Sequence, residues 1–317
     1  MTLDELAAFV AVLREGGVSR AAATLGRSQP ALSRRLEQLE AELGCPLLDR
    51  APGSVLGPTE AGRALLPHAE AALAAARDAR RAVEAVHRGG SGEVGLAIVG
   101  TLATADFAGV LRRFASDFPA ARLALRTATS REVSALVRRG EATLGLRYGE
   151  DDDPALDTVP VGREALVVVA ARDLAVRLET SAAPLRNQPW VGFAPARDGG
   201  SFGGALARLR AVAGLEDAPF TPVDSLTAQL RLVEAGLGLG LLPAAAVEEA
   251  LARGSLARVP VTAPLETSVP VVLVRRSNGY LSAAARALVE LLCTPHATPV
   301  RLPPGSGRVP VEPEEIG

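Results

Sequence analysis

Residues 26–44, GRSQPALSRRLEQLEAELG, read as a helix with a marked start and stop. Ser28 is a good N-cap, and Pro30 stands in the first turn, where its missing N–H leaves no bond unmade. Gly44 ends the run. At about 100° per residue, Leu32, Leu36, Leu39 and Leu43 share one face. Pro30, Ser33, Arg34 and Glu37 lie on the other, and Gln29 sits at the N-terminal tip. Upstream, Leu6, Phe9, Val10 and Leu13 mark an amphipathic helix that GGVS breaks. Ser19 is then placed to cap a short second helix, RAAATL, which Gly26 stops. Two short helices joined by the turn Gly26-Arg27-Ser28 make a helix-turn-helix. Downstream, CPLLDRAPGSVLGPT sets two short apolar pieces around the turn sequence APGS, which predicts a small β-hairpin, or wing.

The polar front of the third helix has two readings. It is the solvated face of a small bundle, or it is a surface that enters the major groove of double-stranded DNA. Net charge does not favour nucleic acid: it is −2, and all 34 basic residues are Arg. Any DNA surface must therefore be local. Arg27, Arg34 and Arg35 all precede the first acid of the helix, Glu37. A helix in the major groove needs this layout, with N-terminal side chains on base edges and an apolar stripe holding it to its bundle. Gln pairs bidentately with adenine and Arg with guanine, Ser33 suits a base or a phosphate, and the helix N-terminus itself attracts phosphate. The helix-turn-helix spacing together with the wing favours DNA reading.

The rest of the chain falls into three parts. From Thr59 an Ala-rich helical stretch runs to residue 89, with Pro67 expected to bend it. GGSGE, residues 89–93, is a domain boundary. Between 93 and 295, short and almost wholly apolar segments such as VGLAIVG, ALVVVAA and SVPVVLVRR alternate with helical ones. That pattern predicts a mostly parallel sheet covered on both faces. Residues 296–317 are rich in Pro and Gly and lack a core pattern, so a flexible tail is expected. The N-terminus has acids in its first turn and no basic segment, unlike a signal peptide, and no apolar run approaches a membrane span, so the expected location is cytoplasmic with no membrane partner. Cys45 and Cys293 are far apart, with no CxxC and no Cys/His cluster, which argues against a metal site or a cofactor.

The stretch VSRAAATLGRSQPALSRRLEQLEAELGCPLLDR resembles the winged helix-turn-helix of LysR-type transcriptional regulators. The family pattern is a Ser, an Ala-Ala pair, a Leu, Ser-Gln-Pro-Ala, a second Ser, Leu-Glu, Leu-Gly and a terminal Leu-Phe-x-Arg, which the chain matches except for the Phe. TEAG, residues 59–62, resembles the start of that family's linker helix, and GLGLGLLP its Gly-x-Gly-x-x-x-Pro segment. The resemblance implies a DNA-binding domain over 1–58, a linker and dimerisation helix over 59–89, and an effector domain over 93–295. That domain would have the periplasmic-binding-protein fold, two Rossmann-like lobes around a ligand cleft, with the second lobe over about 166–262. It also implies a homodimer or homotetramer on promoter or operator DNA, and it allows RNA polymerase as a further partner. The family's DNA-contacting positions fall on Ser28, Gln29, Pro30, Ser33, Arg34 and Arg50. The chain departs from the pattern at Leu48, where Phe is usual, at Thr143, where an acid is usual, and in the wing, which is one residue longer and lacks a second Arg.

In doubly wound sheets, ligands bind beyond the C-terminal strand ends, at helix N-termini. VGTLATAD offers Thr101 and Thr104 there, and TATSRE offers Thr129 and Ser130. Of these, the resemblance places Thr101 and Ser130 at effector positions. WVGFAP supplies Phe193 for an opposite wall, and Arg147 a charge. Each residue also has a plain reading as a helix cap or strand end. Together they suit a small organic anion. An α/β enzyme is the alternative, but His68, His87 and His296 lie away from these strand ends, and no G-x-S-x-G, P-loop or G-x-G-x-x-G follows a strand. No catalytic residue is therefore expected. A solute-binding domain with an accessory helical module is a further alternative, which the missing signal peptide disfavours.

Overall fold

A computed structural model describes residues 1–49, 57–87, 92–181, 185–194, 201–261 and 268–294. Helix α1 (Leu3–Glu15) opens with a capping box between Thr2 and Glu5 and stops at Gly16, whose φ is 66°. Helix α2 (Val18–Thr24) is capped at Gly17, two residues earlier than its sequence suggests. Ser19 is thus inside the helix and does not cap it. Helix α3 (Gln29–Leu43) starts on Ser28, whose hydroxyl accepts from the Ala31 amide, and stops at Gly44, with φ 70°. Leu32, Leu36 and Leu39 are buried against Phe9, Val12, Ala21 and Leu47. Leu43, expected to close that stripe, is 41% exposed and lies outside the buried cluster.

Strands β1 (Leu48–Asp49) and β2 (Gly57–Pro58) pair antiparallel as the base of the wing. Arg50 and the wing tip lie outside the described residues, as do the 88–91 boundary and the tail. Helix α4 (Glu60–His87) contains Pro67 and remains helical on both sides of it; the ring removes only the bond to one carbonyl in a long helix. Its start explains the TEAG stretch. The Thr59 hydroxyl donates to the Pro46 carbonyl (2.8 Å) and accepts from the Gly62 amide (3.1 Å). A Cβ on Gly62 would stand 2.1 Å from the Leu47 carbonyl oxygen, so only glycine lets α4 lie this close to the wing base.

The remaining elements are β3 (Glu93–Val99), α5 (Ala105–Asp117), β4 (Arg122–Ala128), α6 (Ser130–Arg138), β5 (Leu144–Tyr148), β6 (Leu156–Ala171), α7 (Arg172–Ser181), β7 (Trp190–Phe193), α8 (Ser201–Val212), β8 (Phe220–Val223), α9 (Leu226–Glu234), β9 (Gly240–Pro243), α10 (Ala244–Arg253), β10 (Leu256–Arg258), β11 (Ser268–Arg276) and α11 (Ala283–Cys293). The sheet is mixed where a mostly parallel one was expected. Strand β3 pairs parallel with β4 and β5, but β11 runs antiparallel to both β5 and β6. Only the apolar ALVVVAA marks β6 in the sequence, yet the strand begins nine residues before it, in a mixed stretch that contains Pro160 and Gly162. Its first half pairs with β11, and its second half pairs with β9 and β10. One continuous strand thus spans two lobes. The register of β6 against β11 shifts between Val271 and Val272, close to the crossing. A parallel pair, β7 and β8, completes the second lobe, joined through a bridge from Trp190 to Leu239. Thr143, which replaces an acid, keeps its turn intact: its amide donates to the Gly95 carbonyl (2.8 Å) and its hydroxyl accepts from the Gly95 amide (3.4 Å).

Glu164 sits on β6 at this crossing and accepts from the Ala245 amide at the start of α10 (3.3 Å). Burial pushes its carboxyl above the ordinary carboxylate range, against the pull of that amide. A group whose pKa is raised in the fold adds stability that is complete below its unfolded value and lost as the pH rises through its folded value. Glu164→Gln should therefore match the wild type below about pH 4 and gain on it as the pH rises past the carboxylate range. Thermal melting across the acid-to-neutral range reads this difference. Gly62→Ala should cost about 1–3 kcal/mol through overpacking, seen as a lower denaturation midpoint. Gly109→Ala, with open space around the added methyl, is the control that should not lose stability.

Candidate DNA-reading surface and ligand cleft

The N-terminal turn of α3 presents Ser28, Gln29, Pro30 and Arg34 to solvent, with Ser33 half-buried. They stand on the opposite side from Leu32, Leu36 and Leu39, which fix the helix to its bundle. Arg35 turns back and pairs with Asp4 of α1 (2.9 Å), so its charge serves the bundle. Ser19, left free by the early start of α2, donates to the Gln29 Oε1 at 3.1 Å. The amide oxygen is thereby engaged and Nε2 remains to donate. Ser19 was legible only as a cap, because its use depends on how α2 and α3 cross.

The second site is a cleft of about 860 Å³ between the lobes. Thr101, Thr129, Ser130, Arg147 and Phe193 line it. Thr104 does not: it is the N-cap of α5 and accepts from the Phe107 amide (3.3 Å). The Thr101 hydroxyl lies 3.0 Å from the hydroxyl of Tyr148, a side chain 1% exposed. Burial pushes the Tyr148 phenol well above its ordinary value, so it stays neutral. Phe202 packs edge-on against Tyr148, centroids 4.6 Å apart, and lies 6.1 Å from Phe193, which makes an aromatic wall. At α6, Thr129 and Glu132 form a capping box, and hydrogen bonds from the Thr129 backbone and hydroxyl hold Glu132 below the usual carboxylate range. Ser130 accepts from the Tyr148 amide (3.3 Å). The first N–H groups of a helix have no intrahelical acceptor, so this turn still offers donors to the cleft.

Arg147 corrects an expectation. Its guanidinium is held by Asp151 and donates to the Ser134 hydroxyl (2.7 Å), with both charged side chains nearly buried. Burial pushes Asp151 up, but hydrogen bonds from Ser134 and the Asp153 amide, with the charge of Arg147, hold it below its ordinary value. The positive charge is thus neutralised within the first lobe. Arg131 on that lobe and Arg208 on the other line the same cleft and are exposed, with no ion pair among the described residues. Both were missed in the sequence, as was Phe202; only the tertiary fold brings α8 to face α6. No helix among the described residues is long and apolar enough to cross a membrane.

Two family models match the chain: "Bacterial regulatory helix-turn-helix protein, lysR family" over residues 3–63 and "LysR substrate binding domain" over 87–294. The chain is 30% identical over 296 residues to the HTH-type transcriptional regulator TfdS of Cupriavidus pinatubonensis, covering 90% of this chain and 98% of that one. It is 32% identical over 248 residues to the uncharacterized HTH-type transcriptional regulator YnfL of Escherichia coli, covering 76% and 82% respectively. Full-length CbnR, solved in complex with its target DNA, is similar with a TM-score of 0.59 and 26% identity, over 92% of this chain and 99% of that one.

Ser19→Ala should relax discrimination between operator variants by roughly fivefold, about 1 kcal/mol of the 1–3 expected for a good base contact. Ser19→Thr should restore it. Binding measured on a set of operator variants reads this, and the salt slope should not move, since phosphate contacts are untouched.

Proposed function

Because the chain belongs to the LysR family of transcriptional regulators, we propose that the tip of α3 reads operator DNA and that the interlobe cleft takes a small organic anion which alters that reading. The chain is a DNA-binding transcriptional regulator with an effector-binding domain, and not an enzyme. The observation that carries the DNA assignment is the exposed polar turn of α3 opposite its buried leucines. Gln29 and Arg34 are the base readers, Ser28 and Ser33 serve bases or phosphates, and Pro30 starts the helix at the DNA surface. The family pattern adds Arg50. In the cleft, Thr101, Thr129 and Ser130 meet the anion at the start of α6, Arg131 and Arg208 supply the positive charge, and Phe193 with Phe202 cover an apolar body. Val83 and Val86, exposed on α4, suit pairing with a second chain, so the working unit is a homodimer or a homotetramer. Such a regulator acts where the chromosome is, in the cytoplasm, beside RNA polymerase.

Footprinting on the DNA upstream of its own gene, at one fixed salt concentration, tests the first half. Two spaced half-sites are expected for the wild type, and Gln29→Ala/Arg34→Ala should lose roughly a hundredfold in affinity, from two contacts of ~1–3 kcal/mol each. Protection indifferent to both substitutions would remove α3 as the reader. Calorimetry with benzoate against benzylamine tests the second half: the anion should bind and the cation should not, and the reverse order overturns the anion assignment.

A further inference from the structure

We propose that α6 is the lever that carries cleft occupancy to the DNA-reading domain, and that the Arg14–Glu141 pair is its contact with that domain. This rests on the cleft reading above, and concerns how that site is regulated. Helix α6 has nine residues and spans about 13 Å. Its first turn belongs to the cleft wall through Thr129, Ser130 and Arg131. Its last residue and the turn beyond it face the rest of the chain. There the Arg138 guanidinium meets Glu70, a buried acid of α4, at 3.0 Å. Arg77 and Arg81 of α4 donate to the carbonyls of Arg139 (2.7 Å) and Gly140 (2.9 Å). Glu141 accepts from Arg139 (2.9 Å) and from Arg14 (2.8 Å), and Arg14 is on α1, inside the DNA-reading bundle. One short helix and the turn that follows it therefore touch the cleft at one end and both α4 and α1 at the other.

The packing under α6 makes it move as a unit. A Cβ on Gly145 of β5 would stand 2.6 Å from Val133 and 2.9 Å from Val137, so the helix is seated against the bare backbone of the strand. A close-packed contact of this kind transmits a push and does not absorb it. A second tie leaves α4 a pivot. Asp78 accepts from Arg276 of β11 (2.6 Å) and from the Tyr280 amide (3.0 Å), and neither residue is on α6. A shift of α6 changes the hold on α1 and on residues 70–77 while Asp78 stays anchored, and this re-aims the recognition helices.

The experiment uses the full chain and needs neither effector nor DNA, since a bulky side chain on the cleft end of α6 stands in for an occupant. Ser130→Trp is one such variant. Arg131→Trp is the second, at an exposed position that leaves the cap intact. Each is combined with Glu141→Gln, and amide hydrogen exchange is followed along α1 and residues 66–77. Either Trp should change protection of α1 by at least about fivefold, the low end of a useful coupling. With Glu141→Gln the same Trp should leave α1 unchanged to within about twofold. Arg14→Gln should abolish the response as Glu141→Gln does, and the two together should do no more than either. No response of α1 to either Trp, or a response of equal size without Glu141, overturns the proposal. If the exchange response holds while benzoate fails to bind, the ligand assignment falls and the lever stands.

Discussion

A long helix that carries carboxylates on its covered face has to find them partners. Helix α4 does this at Glu70 and Asp78, two turns apart and both buried. Each meets an arginine from the effector domain, Glu70 with Arg138 and Asp78 with Arg276. A buried ion pair adds little over a packed apolar one, but a buried charge that has lost its partner is expensive. The pairing therefore acts mainly on geometry, because it leaves few other places along α4 where the first lobe can sit. The placement of the DNA-reading bundle follows from it, since α4 also seals that bundle through Ala69 and starts under the wing at Gly62.

The exclusive use of arginine colours these joints. A guanidinium has five donors in a planar fork, where an ammonium offers one compact charge. Arg77 and Arg81 use theirs on backbone carbonyls at the end of α6, and Arg210 uses its own on the carbonyls of Leu215, Glu216 and Ala218. These connections are directional bonds to the main chain. Such bonds fix orientation and need no complementary acid, which fits a chain with near-balanced charge.

The helix-turn-helix was legible because its determinants are local. Ser28, Pro30 and Gly44 act within a turn or two of themselves, and the spacing of Leu32, Leu36 and Leu39 declares a buried face without any knowledge of what buries it. What stayed hidden depends on partners distant in sequence. Ser19 looked like a cap and is a neighbour of Gln29. Arg147 looked like a free charge and is held by Asp151, four residues on but reachable only once β5 turns. Thr104 and Thr129 are both caps, and only the position of the cleft separates them. The mixed first half of β6, with Pro160 and Gly162 in it, gave no strand signal because its pairing comes from β11, more than a hundred residues later. Leu43 shows the opposite error, a periodic residue that the bundle leaves 41% exposed.

Strand β6 has a further consequence. Two lobes joined by flexible linkers can approach each other along many paths. Here they share one uninterrupted strand, held by β11 on one side of the crossing and by β9 and β10 on the other. Sliding the lobes apart would break ladder bonds, whereas rotating one against the other about the strand axis only winds a twist that strands already possess. Twisting about β6 is thus the relative motion of the lobes that this strand resists least. The shapes that the cleft accepts are set by the angle at which that strand rests, near the shifted register at Val271 and Val272, as much as by the side chains that face the ligand.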